Sequence, residues 1–443
     1  MSPSEPAAPP ADPSRTQPPA APARAELGAP ERPSVWYVRL VMLAVVLAAL
    51  NLRPAITSLG ALLEEARTGL HMSGAVAGVL TSVPAITFAV FGVAAPRLAR
   101  RFGPGAVVCA GLVAIATGLL LRPYAGGTVG FLAASALALI GIAVGNVLMP
   151  VIVKRYFPDR VGTMTGLYSM GLAIGTSVAA AATVPLTGAL GGSWQTGLAV
   201  WGVLAVIAVV PWTVLLVRDR GRARPGGTRR DGSGAVPAPA AEPDRPAGKI
   251  VRSPTAWALG GFFGLQATGA YITMGWMPQI FRDAGVPAQT AGLLLAVTMV
   301  MGVPLAFVIP RLATRFRSQG PIAAVLGLSG LTGYAGLFFA PAEGAWLWVL
   351  LLGVSNCAFP LALTMIGLRS RTSAGVVRLS AFAQSTGYLI SIPGPLLVGV
   401  LYEHSGGWDL PIALMAGLLV PQIALGLLAG RDRTIEDETG MRD

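Results

Sequence analysis

The chain is dominated by apolar runs long enough to cross a lipid bilayer. They fall at 36–59, 74–96, 104–121, 128–153, 161–188, 196–217, 256–279, 289–310, 320–340, 344–367, 376–401 and 409–429. A bilayer core of about 30 Å needs roughly 20 residues of helix. A soluble fold is excluded by the same pattern. Of 443 residues only 12% are charged, against about 25% in an ordinary soluble domain. That is too little charge to cover a water-exposed surface of this size. The runs also carry many Gly, Ala and Pro residues, which membrane helices tolerate and use for close packing. The expected fold is therefore all-α and integral to the membrane, with twelve transmembrane helices.

The basic residues divide by loop. Counting from the N-terminus, alternate loops and both tails hold 28 of the 32 Lys and Arg residues. They include Arg39, the Arg97/Arg100/Arg101 cluster, Lys154/Arg155/Arg160, Arg311/Arg315/Arg317 and Arg369/Arg371/Arg378. The other side holds Arg67, Arg122 and Arg282, and Arg53 lies inside a span. The positive-inside rule then places both termini in the cytoplasm. The net charge of +12 is accounted for by topology, and a nucleic-acid partner is not expected. Residues 1–34 are rich in Pro, Ala and Ser, lack an apolar signal region, and are expected to be a disordered cytoplasmic tail. Residues 218–253 are expected to be a cytoplasmic linker between halves 35–217 and 254–430, and 431–443 a second cytoplasmic tail, also expected to be disordered. Cys109 and Cys357 each sit inside an apolar run and are expected to pack as small apolar residues.

The halves repeat. Pro96-Arg97-Leu98-Ala99-Arg100-Arg101-Phe102 recurs as Pro310-Arg311-Leu312-Ala313-Thr314-Arg315-Phe316. Asn146 with Pro150 recurs as Asn356 with Pro360, Gly78 as Gly292, and Trp194 as Trp408. Two six-span repeats joined by a long linker resemble the major facilitator superfamily. Its signature between spans 2 and 3 is matched by Gly92, Arg97, Arg100 and Arg101, with Pro96 and Ala99 replacing its Asp and second Gly. Three further stretches resemble one branch, the cyanate permease and 2-nitroimidazole transporter group. They are Leu50–Pro54, Lys154–Tyr168, and Gly367–Arg369 through Gln384–Tyr388 to Pro395. The resemblance implies a secondary transporter of the cell membrane that works as a monomer by alternating access. It implies gating roles for Gly92, Arg97, Arg100 and Arg101.

The spans carry few groups that could do chemistry. Arg53 lies 17 residues into span 1, about 25 Å along a helix. A charge at mid-span costs ~2.5–3.5 kcal/mol on the insertion scale, and no Asp or Glu lies at comparable depth. A small anionic or strongly dipolar solute would complete it through bidentate hydrogen bonds. A structural arginine bonded to the carbonyl freed by Pro54 is the competing reading. Asn51 and Thr57 flank it. The repeat maps Asn51 near Gln266 and Arg53 near Thr268, which suggests charge from one half and neutral hydrogen bonds from the other. In span 11, Ser380, Gln384, Tyr388 and Ser391 share a face, and Tyr168 occupies the matching region of the first half. Asn146 with Pro150, and Asn356 with Pro360, suggest sites where a helix bends. The expected binding residues are Arg53, Asn51, Thr57, Asn146, Tyr168, Gln266, Asn356, Gln384 and Tyr388. The expected gating residues add Pro150 and Pro360.

No phosphate-binding glycine loop occurs, so ATP-driven transport is not expected. No catalytic cluster, cofactor or metal site stands out, and the chain is not expected to be an enzyme. A drug or metabolite efflux pump of the same fold is the alternative, and a non-transporting receptor a more distant one.

Overall fold

The computed structural model describes residues 35–222 and 247–439. The expected tail at 1–34, most of the linker and residues 440–443 lie outside the described residues. Every described regular element is helical. Span 1 comprises α1 (Val35–Asn51) and α2 (Pro54–Ala61), capped by α3 (Leu63–Gly69). Spans 2 to 6 are α4 (Gly74–Phe102), α5 (Pro104–Leu121), α6 (Thr128–Tyr156), α7 (Val161–Ala189) and α8 (Trp194–Arg222). Span 7 is α9 (Pro254–Asp283), and span 8 pairs α10 (Ala288–Val300) with α11 (Gly302–Ala313). Span 9 is α12 (Gly320–Phe339). Span 10 pairs α13 (Ala345–Asn356) with α14 (Ala358–Leu368), and span 11 pairs α15 (Ser373–Ser391) with α16 (Pro393–Ser405). Span 12 is α17 (Asp409–Ala429), and the short α18 (Ile435–Thr439) follows.

Eleven of these spans are long and apolar enough to cross a membrane on length and composition alone. The twelfth is α9. It has 30 residues but carries Gln266, Thr268, Thr273 and Gln279, and nearly its whole length from Ala258 to Phe281 is buried. A helix wrapped by other helices needs no lipid-facing apolar belt, so polar residues are tolerated all round it.

The face that holds the end of α8, the start of α9 and the end of α17 is the terminal face; the opposite one is the distal face. The two halves meet along the distal part of the bundle. A Cβ on Gly60 would overlap the Met274 carbonyl, and one on Gly399 would overlap the Gly74 carbonyl. These glycines let span 1 approach span 7, and span 2 approach span 11, at backbone distance. Arg282 pairs with both oxygens of Glu65 across the same seam, at 2.8 and 2.9 Å. Glu403 in α16 accepts from the Ala75 amide in the first turn of α4, at 2.9 Å, where a carboxylate is favoured by the helix dipole. Toward the terminal face the picture changes. Gly92, Gly166, Gly302 and Gly367 have no atom within 4 Å of where a side chain would begin. The contacts between the halves named above all lie in the distal part of the bundle.

Three expected features look different in the structure. The residues read as a loop between spans 2 and 3 are helical: α4 runs through Arg97, Arg100 and Arg101 to Phe102, and the turn is Gly103 with φ of 84°. Arg100 and Arg101 are exposed there. Pro150 leaves α6 continuous, whereas span 10 breaks at Asn356–Cys357, just ahead of Pro360. The segment after Gly430, expected as a disordered tail, is held in place through Thr439. Glu438 accepts from the Ser253 and Thr255 hydroxyls and the Thr255 amide at the start of α9. Ser370 donates to Glu436 at 2.6 Å, and Arg371 to Asp437 at 2.5 Å. Buried Arg369 ties the end of span 10 to the Ala429 and Gly430 carbonyls, both at 2.9 Å. The acids that make this tail look solvated in sequence are its anchors.

Candidate functional site

Span 1 breaks where its sequence demands it. Pro54 has no N–H to offer the Leu50 carbonyl and biases Arg53 away from helical geometry. Helix α1 accordingly ends at Asn51, and α2 restarts at Pro54 with Arg53 at its N-cap, φ −130°. The break swings the Arg53 side chain into the space between the halves, where it is half-buried.

Three tyrosines surround it. The Arg53 guanidinium lies beside the Tyr271 hydroxyl of α9 and within electrostatic range of Tyr168 in α7 and Tyr388 in α15. Tyr168 donates to Asn146 Oδ1 at 3.2 Å, while Asn146 Nδ2 donates to the Ile142 carbonyl at 2.9 Å. Tyr388 is clamped by aromatic neighbours. Phe88 of α4 stacks on it with centroids 5.1 Å apart, and Phe263 of α9 meets it edge-on at 5.2 Å. The Tyr388 ring is thus held from two sides in favourable aromatic geometries. Spans 1, 2, 4, 5 and 11 each contribute one of these side chains, and span 7 contributes two, Phe263 and Tyr271. Among the described residues no carboxylate lies within ion-pair distance of Arg53. The chamber thus offers one guanidinium, hydroxyl groups and flat apolar walls. Such a set binds a planar oxygen-bearing group well and a cation poorly.

The expected binding residues separate into two groups. Arg53, Asn146, Tyr168 and Tyr388 come together. Gln384 lies one turn from Tyr388 toward the terminal face, half-buried, and donates to Ser380 at 2.7 Å. The others sit elsewhere. Asn51 is buried against α8, donating to the Leu47 carbonyl at 2.8 Å and the Leu204 carbonyl at 3.3 Å. The Thr57 hydroxyl is buried and turns back to the Arg53 carbonyl at 3.3 Å. Ser391 donates to the Tyr388 carbonyl at the break between α15 and α16. Gln266 and Asn356 face each other at 3.5 Å in a separate cavity of about 30 Å³, bordered by Thr273, Tyr334 and Gln422. That volume suits ordered water rather than a solute. Gln266 lies five residues from Tyr271, which puts the two on nearly opposite faces of α9.

Two residues of the interior escape a reading of the sequence alone. Tyr271 looks like one more aromatic in an apolar run. Arg122 looks like a loop residue at the distal face, yet it is 2% exposed and buried within the first half. Its Nη1 donates to the Ala55 carbonyl at 2.9 Å and its Nη2 to Ser58 Oγ at 3.3 Å. Arg122 thus bonds the backbone of span 1 just past the break, at a carbonyl other than the one Pro54 frees.

Comparison with known proteins agrees with this architecture. The Major Facilitator Superfamily profile matches residues 41–377. A 2-nitroimidazole transporter of Escherichia coli is 32% identical over 408 residues, covering 90% of this chain and 97% of its own. The cyanate transport protein CynX of Escherichia coli is 29% identical over 385 residues, covering 86% and 95%. The uncharacterized transporter YycB of Bacillus subtilis is 34% identical over 404 residues, covering 91% and 95%. Among solved structures, a bacterial homolog of the human lysosomal transporter Spinster superposes with a TM-score of 0.70 at 16% identity, over 90% of this chain and 97% of that one. The last likeness concerns the fold. With two six-span halves, a seam closed on one face and relatives matched almost end to end, the chain belongs to the major facilitator superfamily and is a multi-pass membrane transporter, not an enzyme.

Proposed function

We propose that the protein carries a small planar anion, or a neutral solute bearing a nitro-like group, by alternating access, with Arg53 as the anchor. The observation that carries this reading is the guanidinium itself. It lies between the halves beside tyrosine hydroxyls, and among the described residues no carboxylate is within ion-pair distance. An arriving carboxylate or cyanate supplies the missing charge. A nitro group presents two oxygens in a comparable plane and draws on the same bidentate geometry. The names of two relatives, one for cyanate and one for 2-nitroimidazole, fit these two chemistries. Tyr168, Tyr271 and Tyr388 orient the guest, Asn146 fixes Tyr168, and Gln384 borders the route to the terminal face. The protein acts as a monomer with both termini in the cytoplasm. The terminal face is then the inward side, and the Glu65–Arg282 and Gly74–Gly399 contacts form the closed outer gate. Movement of Gly92, Arg97, Arg100 and Arg101 against the second half closes the inner one, with span 10 hinging ahead of Pro360 and α6 yielding at Pro150.

The test is uptake by proteoliposomes from a panel of monovalent planar anions, nitroheterocycles, neutral polyols and quaternary amines. Uptake confined to the first two classes is the expected result. Uptake confined to amines or polyols overturns the reading and favours an efflux pump of the same fold. Comparing whole cells with everted vesicles gives the direction.

A further inference from the structure

Arg122 is a second in-membrane cation, and substrate capture at Arg53 gives it no task. It lies in the first half, bonded to α2 as described, with its guanidinium 6.0 Å from the centre of the Phe131 ring. Among the described residues no carboxylate is within ion-pair distance. Two buried polar atoms nearby have no partner, Arg122 Nε and Ser135 Oγ. Both residues line one cavity of about 10 Å³ with Thr81, Pro84 and Tyr271. Ser135 is seven residues into α6, about 10 Å along the helix axis from its distal end. The Thr81 hydroxyl already donates within α4 and accepts from Trp276 Nε1 at 3.2 Å. The cavity is therefore a pocket with two vacant hydrogen-bond donors, a fixed positive charge and room for one group of roughly water size.

We propose that this pocket is a resident site for a monatomic monovalent anion, chloride or bromide. The ion accepts from Arg122 Nε–H and the Ser135 hydroxyl. A water molecule would satisfy both polar atoms but leave the positive charge uncompensated in a low-dielectric interior, which is costly. A polyatomic solute does not fit the volume. The ion is thus distinct from the transported solute, and its site stands whether or not Arg53 binds anions. Its consequence reaches the chamber through two contacts. Arg122 holds the Ala55 carbonyl two residues from Arg53, and Tyr271 borders both the pocket and the Arg53 guanidinium. Halide occupancy stiffens the break that presents Arg53, so transport depends on halide even when halide is not carried.

The experiment is thermal unfolding of the full chain in detergent, with sodium chloride or bromide exchanged for sodium gluconate at constant ionic strength. A saturable halide-dependent rise in melting temperature is expected for the wild type. Ser135→Ala should weaken the apparent halide affinity about tenfold by removing one donor. Arg122→Gln should abolish the effect, and Arg53→Gln should keep it. Superimposable chloride and gluconate curves would mean water alone and overturn the site. An unchanged affinity in Ser135→Ala, or loss only in Arg53→Gln, would also overturn it, the latter by placing the ion in the central chamber. If Arg122→Gln does not fold, Ser135→Ala decides.

Discussion

The two halves of the molecule share a six-span plan but divide the chemistry between them. The first half breaks its opening span at Arg53 and places a second arginine, Arg122, against the restarted helix. The second half keeps the corresponding span, α9, as one continuous helix of 30 residues. The reason is local. Pro54 removes an N–H from span 1, whereas the matching position of α9 falls near Gly269, which has one to give. Backbone polar groups in a membrane must find partners, and Arg122 adds one to the Ala55 carbonyl at the start of the restarted helix. The second half contributes uncharged hydroxyls and rings to the chamber instead, Tyr271 and Tyr388 above all. The repeat conserves the path of the chain. Single residues then decide which half carries charge.

Substitutions can break or sharpen this contrast. The largest effect is expected where the halves touch. Gly399→Val would collide with the Gly74 carbonyl and prevent distal closure. Uptake should fall to background, and cysteines placed on the distal ends of α4 and α16 should label readily from outside. Tyr271→Phe keeps the ring and removes the hydroxyl beside Arg53. A hydrogen bond from that hydroxyl to a charged solute is worth roughly 1.5–3 kcal/mol at most, so solute affinity should fall about tenfold in a binding titration, with folding unaffected. Glu65→Gln weakens the bidentate pair to Arg282. That pair is partly exposed, with side-chain exposures of 34% and 22%. Its loss should shift the balance between distally open and closed forms only a few-fold, read by paired spin labels across the seam. The smallest effect belongs to Gln266→Ala. Gln266 faces the separate cavity on the other side of α9, so uptake should stay within about twofold, a change below 0.5 kcal/mol. A large loss there would return the second half's amides to the binding site.

Much of the fold could be read from sequence because the bilayer imposes it. Apolar runs set the spans, and α9 was found among them although it is the least apolar. Arg53 stood out because nothing at its depth could neutralise it. What sequence could not supply was orientation. Asn51 neighbours Arg53 in the chain yet points to Leu204, since residues two apart face opposite sides of a helix. Gln266 was aligned to Asn51 by the repeat, but an unbroken α9 turns it to the far side from Tyr271. Arg122 counted as a loop residue because it follows the last apolar residue of α5. Its burial arises from spans 1 and 4 closing over it, a tertiary event with no local signature. The acid-rich tail was misjudged for a similar reason: its partners, Ser253, Thr255, Ser370 and Arg371, are dispersed across the second half. Which face is closed is a property of one state of the cycle, and a single sequence encodes both states.

The charge at Arg53 is tested most directly by solute binding and uptake by wild type, Arg53→Lys and Arg53→Gln in parallel. The glutamine variant should bind a planar anion roughly 10–100-fold more weakly, the loss expected for charge-assisted hydrogen bonds. The lysine variant should fall between, since it keeps the charge but loses the planar fork. Equal uptake by all three proteins would contradict the anchoring role, leaving Arg53 as a structural residue of the broken helix.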